Sequence, residues 1–274
     1  AQYSTYGVKK YNYSDMSNDT SWGSNGTVGR SGSCRTYYPY GIKVHNGIIY
    51  VSSYYDRRIR KIRVSDGACL GSITPGHTYA YPRSIDIHNG HLYASTNYGL
   101  FTQNISNGAS KICTGTNRNE WRYSYTITGS GSYLYSHYSY RMYRGTLTSS
   151  GSNLCPTSVK NYYDSSMSYG YGMTAHPTNP NELYFMSRGR NAIYKITVNS
   201  NGTGRTINWQ KGRYGYNKTS TATQNYFYYP WGIHYDDDND RLIVSGYNAK
   251  KIQVFDSDGV FIKDKGGVAA TTRM

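Results

Sequence analysis

The segment Ile48-Ile49-Tyr50-Val51-Ser52 is a short hydrophobic strand that ends in serine, and an alternating strand, Arg58-Ile59-Arg60-Lys61-Ile62, follows it. The pair recurs four times along the chain. Its first member reappears as His91-Leu92-Tyr93-Ala94-Ser95, Tyr133-Leu134-Tyr135-Ser136, Leu183-Tyr184-Phe185-Met186-Ser187 and Arg241-Leu242-Ile243-Val244-Ser245. A polar turn follows each pair and ends at Gly67, Gly108, Gly151, Gly202 or Gly259. By subtraction these glycines lie 41, 43, 51 and 57 residues apart, which indicates a repeat protein.

A further strand opens each repeat behind an aromatic residue. The five openings read Tyr38-Pro39-Tyr40-Gly41-Ile42, Tyr81-Pro82-Arg83-Ser84-Ile85, Trp121-Arg122-Tyr123-Ser124-Tyr125, Tyr169-Gly170-Tyr171-Gly172-Met173 and Tyr229-Pro230-Trp231-Gly232-Ile233. With a short segment after each turn, a repeat of this period holds four antiparallel strands, which predicts a propeller blade. The predicted blades cover residues 37-75, 79-115, 121-159, 169-209 and 227-265.

The N-terminus is expected to supply most of a sixth blade. Tyr3 to Tyr11 resembles the join between the second and third strands of the first repeat, and Ser21-Trp22-Gly23 is expected to be an outer strand. An innermost strand is missing, and only Val268 to Met274 remains to provide it. We therefore predict one all-β domain over residues 1-274, a six-bladed β-propeller with four-stranded antiparallel blades. Pairing of residues 1-30 with 268-274 would close the ring and remove free sheet edges.

The composition excludes a helix-rich or doubly wound enzyme. Tyrosine accounts for 34 residues and glycine for 30, whereas Glu120 and Glu182 are the two glutamates, so residues that favour long helices are scarce. No apolar run approaches the roughly 18 to 20 residues of a membrane helix. A start at Ala1 without an apolar leader fits a processed chain. The net charge of +15 favours acidic partners.

Cysteines and glycosylation triplets point to an extracellular protein. Cys34, Cys69, Cys113 and Cys155 allow two disulfides in three pairings, and no CxxC spacing suggests a zinc ribbon. Six Asn-x-Ser/Thr triplets begin at Asn12, Asn18, Asn25, Asn104, Asn201 and Asn217. Each is a candidate glycosylation site, although such triplets also arise by chance in a chain rich in Asn, Ser and Thr. Together these features favour secretion.

The openings resemble the NHL-repeat family of β-propellers, whose units run Pro-x-Gly-Ile, a hydrophobic strand, a turn, then Ile-Tyr-Val-x-Asp. The resemblance extends over nearly the whole chain and is clearest at Pro39-Tyr40-Gly41-Ile42 and Pro230-Trp231-Gly232-Ile233. Serine replaces the family's acidic residue after the second strand. NHL-like propellers include RNA-binding domains, a peptide-amidating lyase and extracellular interaction modules, so the resemblance implies a fold and leaves the function open.

Two sets of residues are expected to surround one rim, because the opening of a blade and the connection between its second and third strands lie on the same face. The third residue of the successive openings is Tyr40, Arg83, Tyr123, Tyr171 or Trp231. The second connection carries Tyr54, Tyr98, Tyr138 and Tyr247, with Tyr6 from the N-terminal blade and Arg188 and Arg190 in the fourth repeat. Such rings stack on sugars or bases, and arginine binds oxyanions. The alternative is that many of these tyrosines pack between blades, as we expect for the first residue of each opening.

Other constellations are weaker. His45, His88 and His176 occupy one place in three repeats, which suggests either a shared metal or common ancestry; we expect no metal. The run from Asp236 to Asp240 is expected to be a solvated turn, with calcium binding as the alternative. Arg57 to Arg63 reads as a heparin or nuclear patch, but strand alternation would divide it between two faces.

Three functions fit these features, and none requires a cofactor. The first is a secreted, non-enzymatic, lectin-like module that binds a glycan or acidic polymer at the rim. The second is a self-assembling building block of an extracellular matrix, adhesive or filament. The third is nucleic-acid binding, which the positive charge allows and which is less favoured. No nucleophile motif or phosphate-binding loop suggests catalysis.

Overall fold

The computed structural model describes residues 7–15, 17–24, 26–29, 31–113, 118–147, 155–212, 227–247 and 251–266. Within them, helical structure is limited to one α-turn, Arg118–Trp121, and one 3₁₀ turn, Ser165–Met167. No helix in this part of the chain is long and apolar enough to cross a membrane. The described residues fall into two compact units, one within Ala1–Ile127 and Thr148–Pro156, the other within Thr128–Leu147 and Thr157–Met274.

The first unit contains two four-stranded antiparallel sheets and a small two-stranded sheet. The small sheet pairs β1 (Val8–Lys9) with β2 (Thr27–Val28). The next follows chain order through β3 (Pro39–His45), β4 (Ile48–Ser53), β5 (Arg58–Arg63) and β6 (Cys69–Ile73). The third does the same through β7 (Pro82–His88), β8 (His91–Thr96), β9 (Leu100–Asn104) and β10 (Ser110–Cys113).

The second unit contains three more four-stranded sheets of the same type. One runs through β11 (Thr126–Ser130), which starts just before the unit boundary, β12 (Tyr133–Tyr138), β13 (Arg141–Thr146) and β14 (Thr157–Tyr163). Another runs through β15 (Gly170–Ala175), β16 (Glu182–Ser187), β17 (Ala192–Val198) and β18 (Arg205–Gly212). The last runs through β19 (Pro230–Asp236), β20 (Arg241–Gly246), β21 (Lys251–Asp256) and β22 (Phe261–Gly266).

The described residues form an all-β propeller with five four-stranded blades, so the prediction of six is wrong. Residues 7–28 hold only the β1–β2 pair and two isolated bridges among the described positions, because their polar residues form local turns: Asp15 and Asp19 accept from the backbone two residues on. Trp22, expected in an outer strand, is 1% exposed and lies against the apolar side chains of the first blade. The predicted pairing with 268–274 lies outside the described residues.

The second strand of each blade packs on both faces, fully in the first four blades and partly in β20, which explains its continuous hydrophobic run. In β16, Leu183 and Phe185 enter one apolar cluster, whereas Tyr184 and Met186 enter another. The same alternation divides β4, where Ile49 joins one cluster and its neighbour Tyr50 a second. Successive side chains of a strand point to opposite faces, so each second strand contributes to two cores. Several tyrosines are thus packing residues.

The serine at the end of the second strand holds the opening of the blade. Ser52 Oγ accepts from Gly41 N at 2.6 Å and donates to the carbonyl of Arg83, in the opening of the next blade. Ser95 Oγ accepts from Ser84 N at 3.2 Å and donates to Ser124 O at 2.7 Å. Both serines are fully buried, so a single hydroxyl links two consecutive openings.

The cysteines pair as Cys34–Cys69 and Cys113–Cys155, which selects one of the three possible arrangements. The linked residues are 35 and 42 positions apart. Cross-links over loops of that length restrict the unfolded chain enough to contribute about 4 kcal/mol each. Both lie in the first unit and indicate an oxidising environment.

Replacing Ser95 by alanine is expected to lower the free energy of unfolding by about 1–3 kcal/mol, because Ser84 N and Ser124 O lose a buried partner. Urea denaturation followed by tryptophan fluorescence measures the change. Ser65→Ala is the control, since Ser65 is exposed, lies in no glycosylation triplet, and its change should stay within about 0.5 kcal/mol. Equal losses for the two variants would contradict the role given to Ser95.

The imidazole of His137, on β12, makes stability depend on pH. Its side chain is 0% exposed, both ring nitrogens lack a hydrogen-bond partner among the described residues, and the Phe185 ring lies 4.7 Å away. Burial lowers the pKa of His137 to about 3, opposed by the carboxylate of Asp164. The unfolded chain therefore takes up a proton below about pH 6.5 that the folded chain does not, and stability falls as the pH drops from there towards 3.

Between pH 6.5 and 4.5 we expect the unfolding free energy of His137→Leu to fall less steeply than that of the wild type. The two slopes should differ by about 1.4 kcal/mol per pH unit. Urea midpoints at each pH provide the measurement. His91→Leu, at a partly exposed ring, serves as the matched control. Parallel pH profiles for the wild type and His137→Leu would show that this histidine is not buried in its neutral form.

Candidate functional site

Four of the five blade openings share an unusual backbone that presents their third residue; the exception is the opening at Tyr81. Tyr38, Tyr169 and Tyr229 have φ of 54°, 50° and 50°, a left-handed conformation that is costly for residues with a side chain. Directly after them the pairing of the first two strands is irregular, for example between Pro39 and Ile42. The same irregularity occurs in the second, fourth and fifth blades. Bulges of this kind re-aim a side chain, here the third residue of the opening.

Backbone hydrogen bonds join each of these openings to the connection between the second and third strands. Tyr38 O accepts from Tyr54 N at 3.3 Å. Equivalent bonds run from Arg188 N to Tyr169 O at 3.0 Å and from Tyr247 N to Tyr229 O at 2.9 Å. Within these blades the two predicted sets of residues therefore adjoin.

In the first unit the two sets meet in the Arg83 cluster, which consists of Tyr40, Tyr54, Arg83, Tyr123 and Tyr125. The guanidinium carbon of Arg83 lies 4.6 Å from the ring centre of Tyr125, 5.3 Å from that of Tyr54 and 5.5 Å from that of Tyr123. Tyr40 contacts Tyr54 edge to face at 5.3 Å. Contacts of this type attract the cation to the ring faces by about 0.5–2 kcal/mol each. All five side chains are half-buried.

In the second unit the corresponding group is the Arg188 cluster, which consists of Tyr171, Arg188, Tyr229, Trp231 and Tyr247. The guanidinium carbon of Arg188 lies 4.6 Å from the ring centre of Tyr229, 4.9 Å from that of Tyr171 and 5.6 Å from that of Trp231. Trp231 in turn lies 4.8 Å from Tyr171 and 5.5 Å from Tyr247. Tyr247 is 48% exposed, so the cluster reaches solvent.

Tyr125 was missed because the third opening is shifted by two residues from the predicted alignment. Ser84 Oγ accepts from Ile127 N, which gives Ile127 the place that Ile85 has in the blade before. Tyr125 is then the third residue and Tyr123, with a φ of 61°, is the first. The pattern Tyr-x-x-x-Ile, shared by Tyr123 to Ile127 and Tyr229 to Ile233, is the signal that could have shown this.

The first residues of the openings differ in their surroundings. Trp121 ends the short α-turn and is buried. Tyr169 is 54% exposed, and Tyr229 belongs to the Arg188 cluster. The expectation that this position is uniformly structural therefore holds for Trp121 and not for Tyr169.

Three predicted site residues lie outside both clusters. Tyr98 stacks on His77 with ring centres 3.5 Å apart. Tyr138 is exposed at the end of β12. Arg190 is exposed and donates from its guanidinium to Ser165 O at 3.3 Å. Tyr6 lies outside the described residues.

The remaining candidate motifs form ordinary structural contacts. Among the described residues no group of three His, Cys, Asp or Glu is placed to hold a metal ion, although His45, His88 and His176 all lie in this part of the chain. Asp240 accepts from the hydroxyl of Tyr235, and Asn239 donates to Asp236 at 2.9 Å within the acidic turn.

The basic run from Arg57 to Arg63 is interrupted by the buried side chains of Ile59 and Ile62. Arg63 pairs with Asp66 at 3.0 Å. Of the glycosylation candidates, Asn12 and Asn201 are exposed, whereas Asn18 and Asn104 are half-buried; Asn25 and Asn217 lie outside the described residues.

Comparison with known proteins supports the fold alone. The chain is similar to a streptogramin B lyase, with 16% identity, a TM-score of 0.57 and coverage of 83% of this chain and 68% of the other. It is also similar to a protein of unknown function from Desulfotomaculum acetoxidans DSM 771, with 13% identity, a TM-score of 0.62 and coverage of 96% and 78%. A chain of the mitotic checkpoint complex has 11% identity, a TM-score of 0.56 and coverage of 84% and 66%.

No family model and no curated protein matches this sequence. The structural similarities all have low identity and belong to proteins with different descriptions, which is common for a fold that hosts many functions. They agree with a β-propeller and do not assign the chain to the NHL-repeat family.

Proposed function

We propose that this protein is a secreted, non-enzymatic binding module that recognises a glycan, in the manner of a lectin, at the Arg83 and Arg188 clusters. The observation that carries the proposal is the gathering of half-buried aromatic rings around one arginine at the bulged openings of each unit. Tyrosine and tryptophan provide broad contact area with little loss of conformational entropy, and their polar edges bind hydroxyl groups. These properties suit the alternating apolar and hydroxyl surfaces of a sugar ring.

Secretion is supported by both disulfides and by exposed glycosylation candidates. A binding role is supported by the fold, since propellers serve widely as binding or scaffold modules. The streptogramin B lyase is too distant in sequence to bring its activity to this chain. Each cluster consists of one arginine and four aromatic rings, which favours binding of repeated sugar units.

Removing a ring from a cluster is expected to weaken glycan binding about tenfold, because one aromatic contact contributes roughly 1–1.5 kcal/mol. The variants are Tyr125→Ala for the Arg83 cluster and Trp231→Ala for the Arg188 cluster. A glycan array finds the ligand, and titration calorimetry compares the variants. Tyr163→Ala is the control, since Tyr163 is an exposed tyrosine in neither cluster. An array without signal, or equal losses for Tyr163→Ala and the two cluster variants, would refute the proposal.

Self-assembly is a second candidate, and the exposed tyrosines favour it. The exposed large hydrophobic side chains of the described residues include Tyr11, Tyr13, Tyr55, Tyr79, Tyr138, Tyr163, Tyr169 and Tyr247. Tyr55 also lies 4.7 Å from Tyr38 and 5.8 Å from Tyr37, which makes a small aromatic patch. Amphipathic rings are enriched at protein interfaces.

Light scattering across a concentration series distinguishes this candidate from a monomeric module. Our proposal expects a constant mass near 31.0 kDa for the unglycosylated chain. A building block would instead show a mass that rises with concentration. The mass would return to that of the monomer in Tyr55→Ser and Tyr169→Ser, and the control Ser65→Ala would behave as the wild type. That pattern would replace the glycan-binding proposal by the structural one.

A further inference from the structure

Some arginines of this protein pair with a carboxylate and others do not; several of the second class, such as Arg122 and Arg144, donate to backbone carbonyls instead. Arg60 pairs with Asp56, Arg63 with Asp66 and Arg205 with Asp164. These pairs hold strands and turns together, and each guanidinium has a carboxylate of its own chain.

Arg188 belongs to the other class. Within the described residues its guanidinium has neither an ion pair nor a side-chain hydrogen bond. Its Nε is buried without a partner among these residues, a feature that it shares with Arg60, Arg83 and Arg205. The sequence places every one of the 15 aspartates and glutamates inside the described ranges. No side-chain carboxylate of the chain is therefore available elsewhere to pair with it.

The surroundings of Arg188 remove water from the faces of the guanidinium without offering it a negative charge. Rings of Tyr171, Tyr229 and Trp231 surround it at 4.6–5.6 Å. Arginine cannot lose its proton in proteins, so the charge persists at every physiological pH. The N–H groups in the plane of the guanidinium still require an acceptor, and a buried donor without one costs about 1–3 kcal/mol.

We propose that Arg188 binds the oxyanion of an acidic saccharide, a carboxylate or a sulfate ester, in the plane of its guanidinium. This assignment rests on the proposed function and names the class of glycan. The rigid fork of arginine matches two oxygens of such a group, and the flanking rings fix its orientation. Trp231 and the exposed Tyr247, 5.5 Å apart, provide the surface for the attached sugar.

Arg83 is less suited to this task, because it already donates to the hydroxyl of Tyr54 at 3.4 Å. The Arg83 cluster is therefore assigned to neutral parts of the ligand. Arg188 thus recognises the acidic group, whereas the Arg83 cluster stacks on the sugar rings.

The first test changes the ligand and leaves the protein intact. Calorimetric titrations of the full chain compare oligogalacturonate with its methyl ester, and dextran sulfate with dextran, at 50 and 300 mM NaCl. We expect at least one acidic ligand to bind ten times more tightly than its neutral counterpart at both salt concentrations. The two pairs distinguish a carboxylate from a sulfate ester. An oligothymidylate is included, and tighter binding of this oligonucleotide than of either acid would replace the proposal by nucleic-acid recognition.

The second test uses variants with a matched control two residues away. Arg188→Lys keeps the charge but loses the planar fork, and Arg188→Gln loses both; Arg190→Gln removes one positive charge from an exposed arginine outside the cluster. We expect about tenfold weaker binding of the acid for Arg188→Lys, a larger loss for Arg188→Gln and no change for Arg190→Gln. Binding of the neutral counterpart should weaken less than binding of the acid in the two Arg188 variants, and it should be unchanged in Arg190→Gln.

Circular dichroism and thermal melting test whether each variant is folded. The comparison of ligands uses the unmodified protein, so it remains valid even if a variant does not fold. Equal affinity for acid and ester, and for sulfated and plain dextran, overturns the assignment to Arg188 while leaving glycan binding intact. Equal losses for Arg188→Gln and Arg190→Gln overturn it too, since net charge alone would then explain the result. Failure of every saccharide to bind removes both the assignment and the proposed function.

Discussion

The buried hydroxyl of the serine that ends the second strand is the constraint on which the binding residues depend. In Ser52 and Ser95 it accepts from the backbone of its own opening and donates to the backbone of the next one. A carboxylate at this place would only accept, whereas a hydroxyl does both. In the first unit this link holds the carbonyl of Arg83, the third residue of its opening. In the second unit Ser187 bonds within its own blade, to Ser168 O.

The repeat determines most of the fold from the sequence. Strands, turns and five blades follow from hydrophobic spacing, because each second strand buries both faces and cannot vary freely. The prediction of a sixth blade is wrong, since β1 and β2 form only a two-residue ladder and the buried Trp22 packs onto the first blade outside any strand. The third opening was aligned two residues early because Trp121 looked like its leading aromatic. Its burial in an α-turn depends on tertiary packing, which the spacing alone does not encode.

The sequence predicts which positions adjoin at the blade openings, but it does not predict that they form two separate clusters. The predicted rim residues form two groups of neighbours in the structure: Tyr40, Tyr54, Arg83 and Tyr123 in one, and Tyr171, Arg188, Trp231 and Tyr247 in the other. Tyr229 was assigned to packing because nothing in its sequence reveals the left-handed backbone that brings its ring to Arg188. Such a conformation costs roughly 1–2 kcal/mol for a residue other than glycine. The surrounding bulge and the bond from Tyr247 N to Tyr229 O maintain it.

The excess of tyrosine and the shortage of acidic residues are related, because at the blade openings aromatic rings surround arginines that have no carboxylate partner. With 30 basic and 15 acidic residues, the chain cannot give each arginine a carboxylate. Acids are used where strands and turns need them, as in the pair of Arg205 with Asp164. At the openings, ring faces hold the guanidinium in place of carboxylates and attract the cation without neutralising it. An arginine held in this way keeps its full charge and its N–H groups, so its position is fixed by the protein while its counter-ion must come from outside.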